Sequence, residues 1–170
     1  MEAQPPLTDE QLQELIDMPK IVRSRKPESG YKTENGHERC SMELSSDASD
    51  RTQFVVFIRR STRFIENFTI GLQYCTNMRG IGDITLLRYN GAHGETSRAQ
   101  DGHYDKPHIH RLTSEDIEFG IAQPQEKNRR VTDEYSSLDD ALEVFSRDIN
   151  IVDFGNYPVL SMQRRLFDES

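Results

Sequence analysis

The chain has no tryptophan, only two cysteines, and no apolar run near the roughly 18 residues that would cross a membrane. No spanning helix is therefore expected. Its first residues, MEAQPPLTDEQ, lack the basic-then-apolar order of a secretory signal, so a cytoplasmic location is expected. Cys40 and Cys75 are far apart, and each lies within a strand-like run. Buried free thiols suit that placement better than a disulfide framework. Apolar residues are also scarce, at 34% with a mean hydropathy of −0.76, so part of the chain, above all its ends, should lie at the surface. With 170 residues the chain can still bury a core without staples, and a single domain over residues 1–170 is expected.

The net charge of −8 argues against a general nucleic-acid binder, but the charge is uneven. From Arg51 to Arg111 there are nine Lys or Arg against five Asp or Glu, a net of +4, and the rest carries −12. A basic centre can hold a polyanion such as RNA, while acidic ends can shield that centre or contact a basic protein partner. Solvated charge with an accidental gradient reads equally well. Of the 21 basic residues 16 are arginine, the better fork for phosphate or carboxylate.

Local patterns give the elements. Residues 1–7, with Pro5 and Pro6, read as an irregular lead-in. Thr8 and Gln11 have capping-box spacing, and Leu12, Leu15 and Ile16 form the stripe of a short helix ended by Pro19. Residues 23–36 are polar and contain the turn pair Asn35-Gly36, with a short strand at Tyr31–Thr33 before it. Strands follow at 39–44, 53–60, within 63–76, and at 83–90. Phe54 to Ile58 is apolar throughout, which predicts a central strand covered on both faces. In the 83–90 strand, alternation puts Ile84, Leu86 and Arg88 on one face and Thr85, Leu87 and Tyr89 on the other. A short edge strand is expected over 107–112, then a helical turn capped by Thr113 or Ser114. Residues 123–136 read as a polar linker, and Ser137 caps a helix with Leu138, Ala141, Leu142, Phe145 and Ile149 on its inner stripe. Residues 159–170 form an acidic-ended tail that reads as strand or helix. The predicted fold is α+β, an antiparallel sheet of about five strands with one or two helices packed on one face.

The functional signal lies in LLRYNGAHGETSRAQDGHYDKPHIHRL, residues 86–112, a long polar loop between two strands. It holds His93, His103, His108 and His110 together with Arg88, Tyr89, Arg98, Lys106 and Arg111. On a strand, His108 and His110 share one face, and Ile109 and Arg111 share the other. Pairing with the preceding strand would bring either Arg88 or Tyr89 beside them.

Three chemistries use such a group. In metal-free RNA cleavage, His108 and His110 are the acid and base, with His93 and Tyr89 assisting. Arg88, Arg111 and Arg98 then hold the substrate phosphate. In metal binding, His108, His110 and His93 ligate a transition metal such as zinc, iron, nickel or copper. The spacing Gly102-x5-His108-x-His110-x4-Glu115 is similar to the first metal motif of cupins, yet no histidine follows His110 to supply the second. In the third, the histidines only order the loop. A metal-free site is the primary expectation. His37, beside the Asn35-Gly36 turn, reads as a turn residue.

The same stretch resembles a family of small uncharacterised bacterial proteins with an Arg-bearing strand, Gly-x-x-His, an Asp-Gly turn and a closing His-x-His. The matching positions are Arg88, His93, Ser97, Asp101, Gly102, His108, His110 and Arg111, although Gly91 stands one residue closer to His93 than the pattern has it. An Arg-Tyr strand followed by a Pro-His-x-His strand is more loosely similar to toxin–antitoxin module proteins. That resemblance implies an RNase-type toxin with an RNA substrate. The alternative is a non-catalytic antitoxin, or an inhibitor of a nucleic-acid machine, that meets a basic partner through its acidic ends.

Overall fold

The computed structural model describes residues 7–27, 30–78, 81–92 and 106–153. In chain order the elements are α1 (Asp9–Asp17), β1 (Lys20–Lys26), β2 (Lys32–Glu34), β3 (His37–Ser46), β4 (Gln53–Ser61), β5 (Phe68–Met78), β6 (Gly82–Asn90), β7 (His108–Arg111), α2 (Ser114–Glu118), a 3-10 turn (Glu126–Asn128), β8 (Arg129–Val131) and α3 (Leu138–Asp148). The eight strands form one antiparallel sheet in the order β1-β3-β4-β5-β6-β7-β8, with β2 paired to β3. The sheet is thus larger than the expected five or so strands, and there are three α-helices rather than one or two.

The added strands lie where the sequence is polar. β1 reads KIVRSRK and buries only Lys20 and Val22 among its residues. β8 is three residues, RRV, inside the stretch expected to be a linker. Both are outer strands, which need little apolar surface to join a ladder.

One face of the sheet is the core. Along successive strands it carries Cys40, Met42 and Leu44; Phe54, Val56 and Ile58; Phe68, Ile70 and Leu72; then Leu87, Tyr89 and Ile109, all buried. Helices α1 and α3 close this face with the expected stripes, Leu12, Leu15 and Ile16 from one and Ala141, Leu142 and Phe145 from the other. The Thr8–Gln11 capping box and the Ser137 cap are both formed. The opposite face has no α1 or α3, so β4 buries Phe54, Val56 and Ile58 but leaves Val55 and Phe57 half-buried. The expected two-sided cover of β4 is absent because apolar side chains alternate with partly wet ones.

Lys20 ties the ends of the helices together. It is fully buried, and its Nζ donates to the carbonyls of Ile16 (2.7 Å), Met18 (2.9 Å) and Ile149 (2.8 Å) while sitting 4.8 Å from the centre of the Phe54 ring. Its backbone N–H donates to Asn150 and its carbonyl accepts from Val152. The ammonium thus fills the negative end of both helices, where orphan carbonyls collect.

A bulge sits in the β5–β6 ladder: Leu72 pairs with Leu87, but Gln73 pairs with Thr85. Leu86 is the extra residue. The bulge reverses alternation past that point, so Ile84 shares the core face with Leu87 and Tyr89 rather than with Arg88.

Candidate functional site

Register decides what meets the histidines. In the β6–β7 ladder Arg88 is opposite His110, Asn90 is opposite His108, Tyr89 is opposite Ile109 and Leu87 is opposite Arg111. Side chains alternate across a strand, so Arg88, His108 and His110 share the helix-free face. Tyr89 and Arg111 emerge on the helix-bearing face. There the Tyr89 hydroxyl is bonded to Asp148 of α3, and the Arg111 guanidinium to Gln13 of α1. The sheet itself therefore separates residues that the sequence reading placed in one cleft. Tyr89 cannot serve as a base beside His108, and Arg111 cannot hold the same phosphate as Arg88. His93, Arg98 and His103 lie outside the described residues.

His108 and His110 are each 1% exposed, and their rings meet edge to face with centres 5.0 Å apart. Each is held through Nδ1. That of His108 is 2.9 Å from the Lys106 carbonyl, and that of His110 is 3.3 Å from the Gln125 carbonyl. A carbonyl accepts only, so both Nδ1 atoms carry hydrogen and, in a neutral ring, Nε2 is the base. Burial pushes the His110 pKa down; the Gln125 carbonyl pulls it up, and His108 and Arg88 push it down again.

The stretch expected to be a linker covers this group. Arg88 Nη2 donates to the Pro124 carbonyl at 3.0 Å, and the chain then turns at Glu126–Asn128 and enters β8. Burial works against the Arg88 charge, and Glu126 supports it. Arg88 Nε is buried without a hydrogen-bond partner.

Tyr135, which the sequence reading passed over, lies between the end of β6 and the start of β7. Its hydroxyl is 2.9 Å from the Asn90 carbonyl and 3.1 Å from the His108 carbonyl, one on each side of the loop. An aromatic residue just before the Ser137 cap was the available signal.

Followed from strand to strand, the register draws two rungs across the helix-free face. One runs Lys26, Ser41, Phe57, Gly71, Arg88, His110, Arg129. The next runs Lys32, Arg39, Arg59, Thr69, Asn90, His108, Val131. Neither rung holds an Asp or Glu. Phe57 lies down on this face because Gly71 opposes it; a Cβ there would come within 2.0 Å of Phe57 Cζ.

Charge is sorted in part by face, with Glu34 and Glu43 the carboxylates that flank the basic rungs. The outer sides of α1 and α3 expose Asp9, Glu10, Glu14, Asp17, Asp140 and Glu143, while the other side of the sheet carries the basic rungs.

Among the described residues, no three or more of His, Cys, Asp and Glu converge as metal ligands. Cys40 is a buried free thiol, as expected, and Cys75 is a free thiol at an intermediate depth. Among the described residues no helix is long and apolar enough to cross a membrane. No protein-family model, curated protein or solved structure matches the chain.

Proposed function

We propose that this protein binds RNA on the helix-free face of its sheet, as a protein of toxin–antitoxin type. The observation that carries the reading is the pair of adjacent rungs, with Lys26, Arg88 and Arg129 on one and Lys32, Arg39 and Arg59 on the other. Basic side chains in two parallel rows suit a phosphate backbone, and an aromatic ring among them suits an unstacked base. A chain of net charge −8 holds a polyanion only where basic residues locally outnumber acidic ones; the exposed carboxylates of α1 and α3 lie away from these rungs, and Glu34 and Glu43 are the acidic residues left beside them.

Cleavage is the stronger form of this reading. His110 Nε2 would take the 2′-hydroxyl proton, a protonated His108 would give one to the leaving 5′-oxygen, and Arg88 would hold the phosphorane charge. All three share one face. The carbonyls of Pro124 and Gln125 occupy Arg88 and His110, so cleavage requires RNA to displace them, whereas binding through Lys26, Lys32, Arg39, Arg59 and Arg129 does not.

Binding is tested by titrating a labelled oligouridine at several salt concentrations. A straight fall of log affinity against log salt is expected, and salt-independent or undetectable binding would remove the reading. Cleavage is tested by overexpressing the His108→Ala, His110→Ala double variant. Relief of growth inhibition with folding intact is expected; unchanged toxicity would end the catalytic form.

A second reading rests on the exposed carboxylates of α1 and α3, an acidic surface suited to a basic protein partner. Recovery from the host of a basic partner that dissociates as salt rises would favour it.

A further inference from the structure

The β3–β4 register places Arg39 directly opposite Arg59 on the helix-free face. Like charges opposed on one face repel, so such a pair costs stability unless an anion sits between them. Lys26, nearby, has a carboxylate in Glu43 at 3.1 Å, and Lys32 has one in Glu34 at 4.0 Å. Among the described residues, neither Arg39 nor Arg59 has one. Among the described residues, Arg59 is hydrogen-bonded to His37, with Nε2 at 3.0 Å from Nη2. Since arginine only donates, His37 must accept there and is neutral, so it cancels no charge.

Beside the two arginines is an open cavity of about 440 Å³, lined among others by Lys26, Lys32, Arg39, Ser41, Phe57 and Arg59. That volume lies in the range of small-molecule sites. One wall offers cations without counter-ions, and another offers the ring of Phe57.

We infer that this cavity is a nucleotide subsite, with a phosphate held between Arg39 and Arg59 and the base set against Phe57. The guanidinium forks match two phosphate oxygens each, and the aromatic ring takes any base without reading its edge. The inference rests on the RNA reading and narrows it to one nucleotide unit, either free or within a strand.

The test uses the full chain, with binding of 5′-AMP, inorganic phosphate, adenosine and oligouridine measured by calorimetry. AMP should bind more tightly than phosphate or adenosine. Arg39→Gln and Arg59→Gln should each weaken AMP by about tenfold, the worth of a lost charge-assisted bond. Phe57→Leu should weaken AMP and leave phosphate unchanged. Arg39→Lys, which keeps the charge, should retain part of the affinity and guards against a folding artefact, as does an unaltered circular dichroism spectrum. AMP binding without oligouridine binding would uphold the subsite and sink the RNA reading. Oligouridine binding indifferent to Arg39, Arg59 and Phe57, with no AMP binding, would overturn the subsite and leave the RNA reading standing. Equal affinity for AMP and phosphate, unmoved by Phe57→Leu, would also overturn it.

Discussion

Tyr135 stacks on Tyr89, with ring centres 5.7 Å apart and planes within 10° of parallel. That stack holds the Tyr135 hydroxyl between the carbonyls of Asn90 and His108, at the two sides of the loop stem. Tyr135→Phe keeps the ring and removes only the pin. It should cost about 1–2 kcal/mol in urea unfolding, the range for a buried hydrogen bond left unmade. Amide exchange at Asn90 and His108 should quicken more than exchange in β3 or β4. Uniform exchange with wild-type stability would show that the hydroxyl pins nothing.

Lys20→Met preserves length and apolar bulk but leaves the carbonyls of Ile16, Met18 and Ile149 without their donor. A loss of about 3 kcal/mol is expected, because unpaired buried acceptors cost more than a formed bond gains. A variant as stable as wild type in a urea titration would mean those carbonyls find other partners.

Alkaline pH should unfold the protein early. Burial pushes the hydroxyls of Tyr31, Tyr89 and Tyr135 well above their ordinary value, with Asp148 adding to the rise at Tyr89. Burial likewise pushes the Cys40 thiol from 9.0 up to about 11. For each group the folded pKa exceeds the unfolded one, so its stabilisation is complete below the unfolded pKa and is lost as pH rises. Lys20 acts in the opposite sense, since burial lowers its pKa to about 7 and its loss of charge in the fold adds stability up to its unfolded value. The urea midpoint should therefore turn down above about pH 10, through the tyrosines and Cys40 together, and Cys40→Ala should remove the thiol's share of the fall. A midpoint level up to about pH 11 would contradict the burial of these groups.

Gly71→Ala should destabilise by about 1–3 kcal/mol, since its methyl would strike the Phe57 ring. The cost should largely vanish in a Phe57→Ala background, giving a coupling of about 1 kcal/mol or more in a double-mutant cycle. An additive result would place the ring elsewhere.

Much of this fold is written in local pattern. The Thr8–Gln11 box, the Ser137 cap and the α1 and α3 stripes require only neighbours in sequence, and each forms as read. The missed strands depend on what lies beside them. Lys20–Lys26 looks like solvated coil because no alternation rule anticipates a buried lysine, and its burial is made possible by carbonyls from the far end of the chain. Arg129–Val131 is strand only because β7 offers it an edge. In the candidate site, the shared face of His108 and His110 follows from their spacing. The choice between Arg88 and Tyr89 depends on register, and strand alternation without the bulge at Leu86 misplaces Ile84 relative to Tyr89. The Arg39–Arg59 pair had a signal too: the two strands and the turn joining them were legible, and counting outward from Ser45 and Gln53 brings the arginines together.

The bond from Lys20 to Ile149 spans 129 residues. A nascent chain makes its N-terminal half of this seam first and must then wait for the other. At about 5–20 residues per second the delay is on the order of ten seconds, long enough for the hairpins of β3 to β6 to zip on the ribosome. Throughout that interval the core face under α3 has no lid, and an apolar sheet is presented to solvent or to whatever chaperone holds it. Translation speed over the stretch from β7 to α3 thus becomes a determinant of yield, although no residue there belongs to the hairpins that fold first.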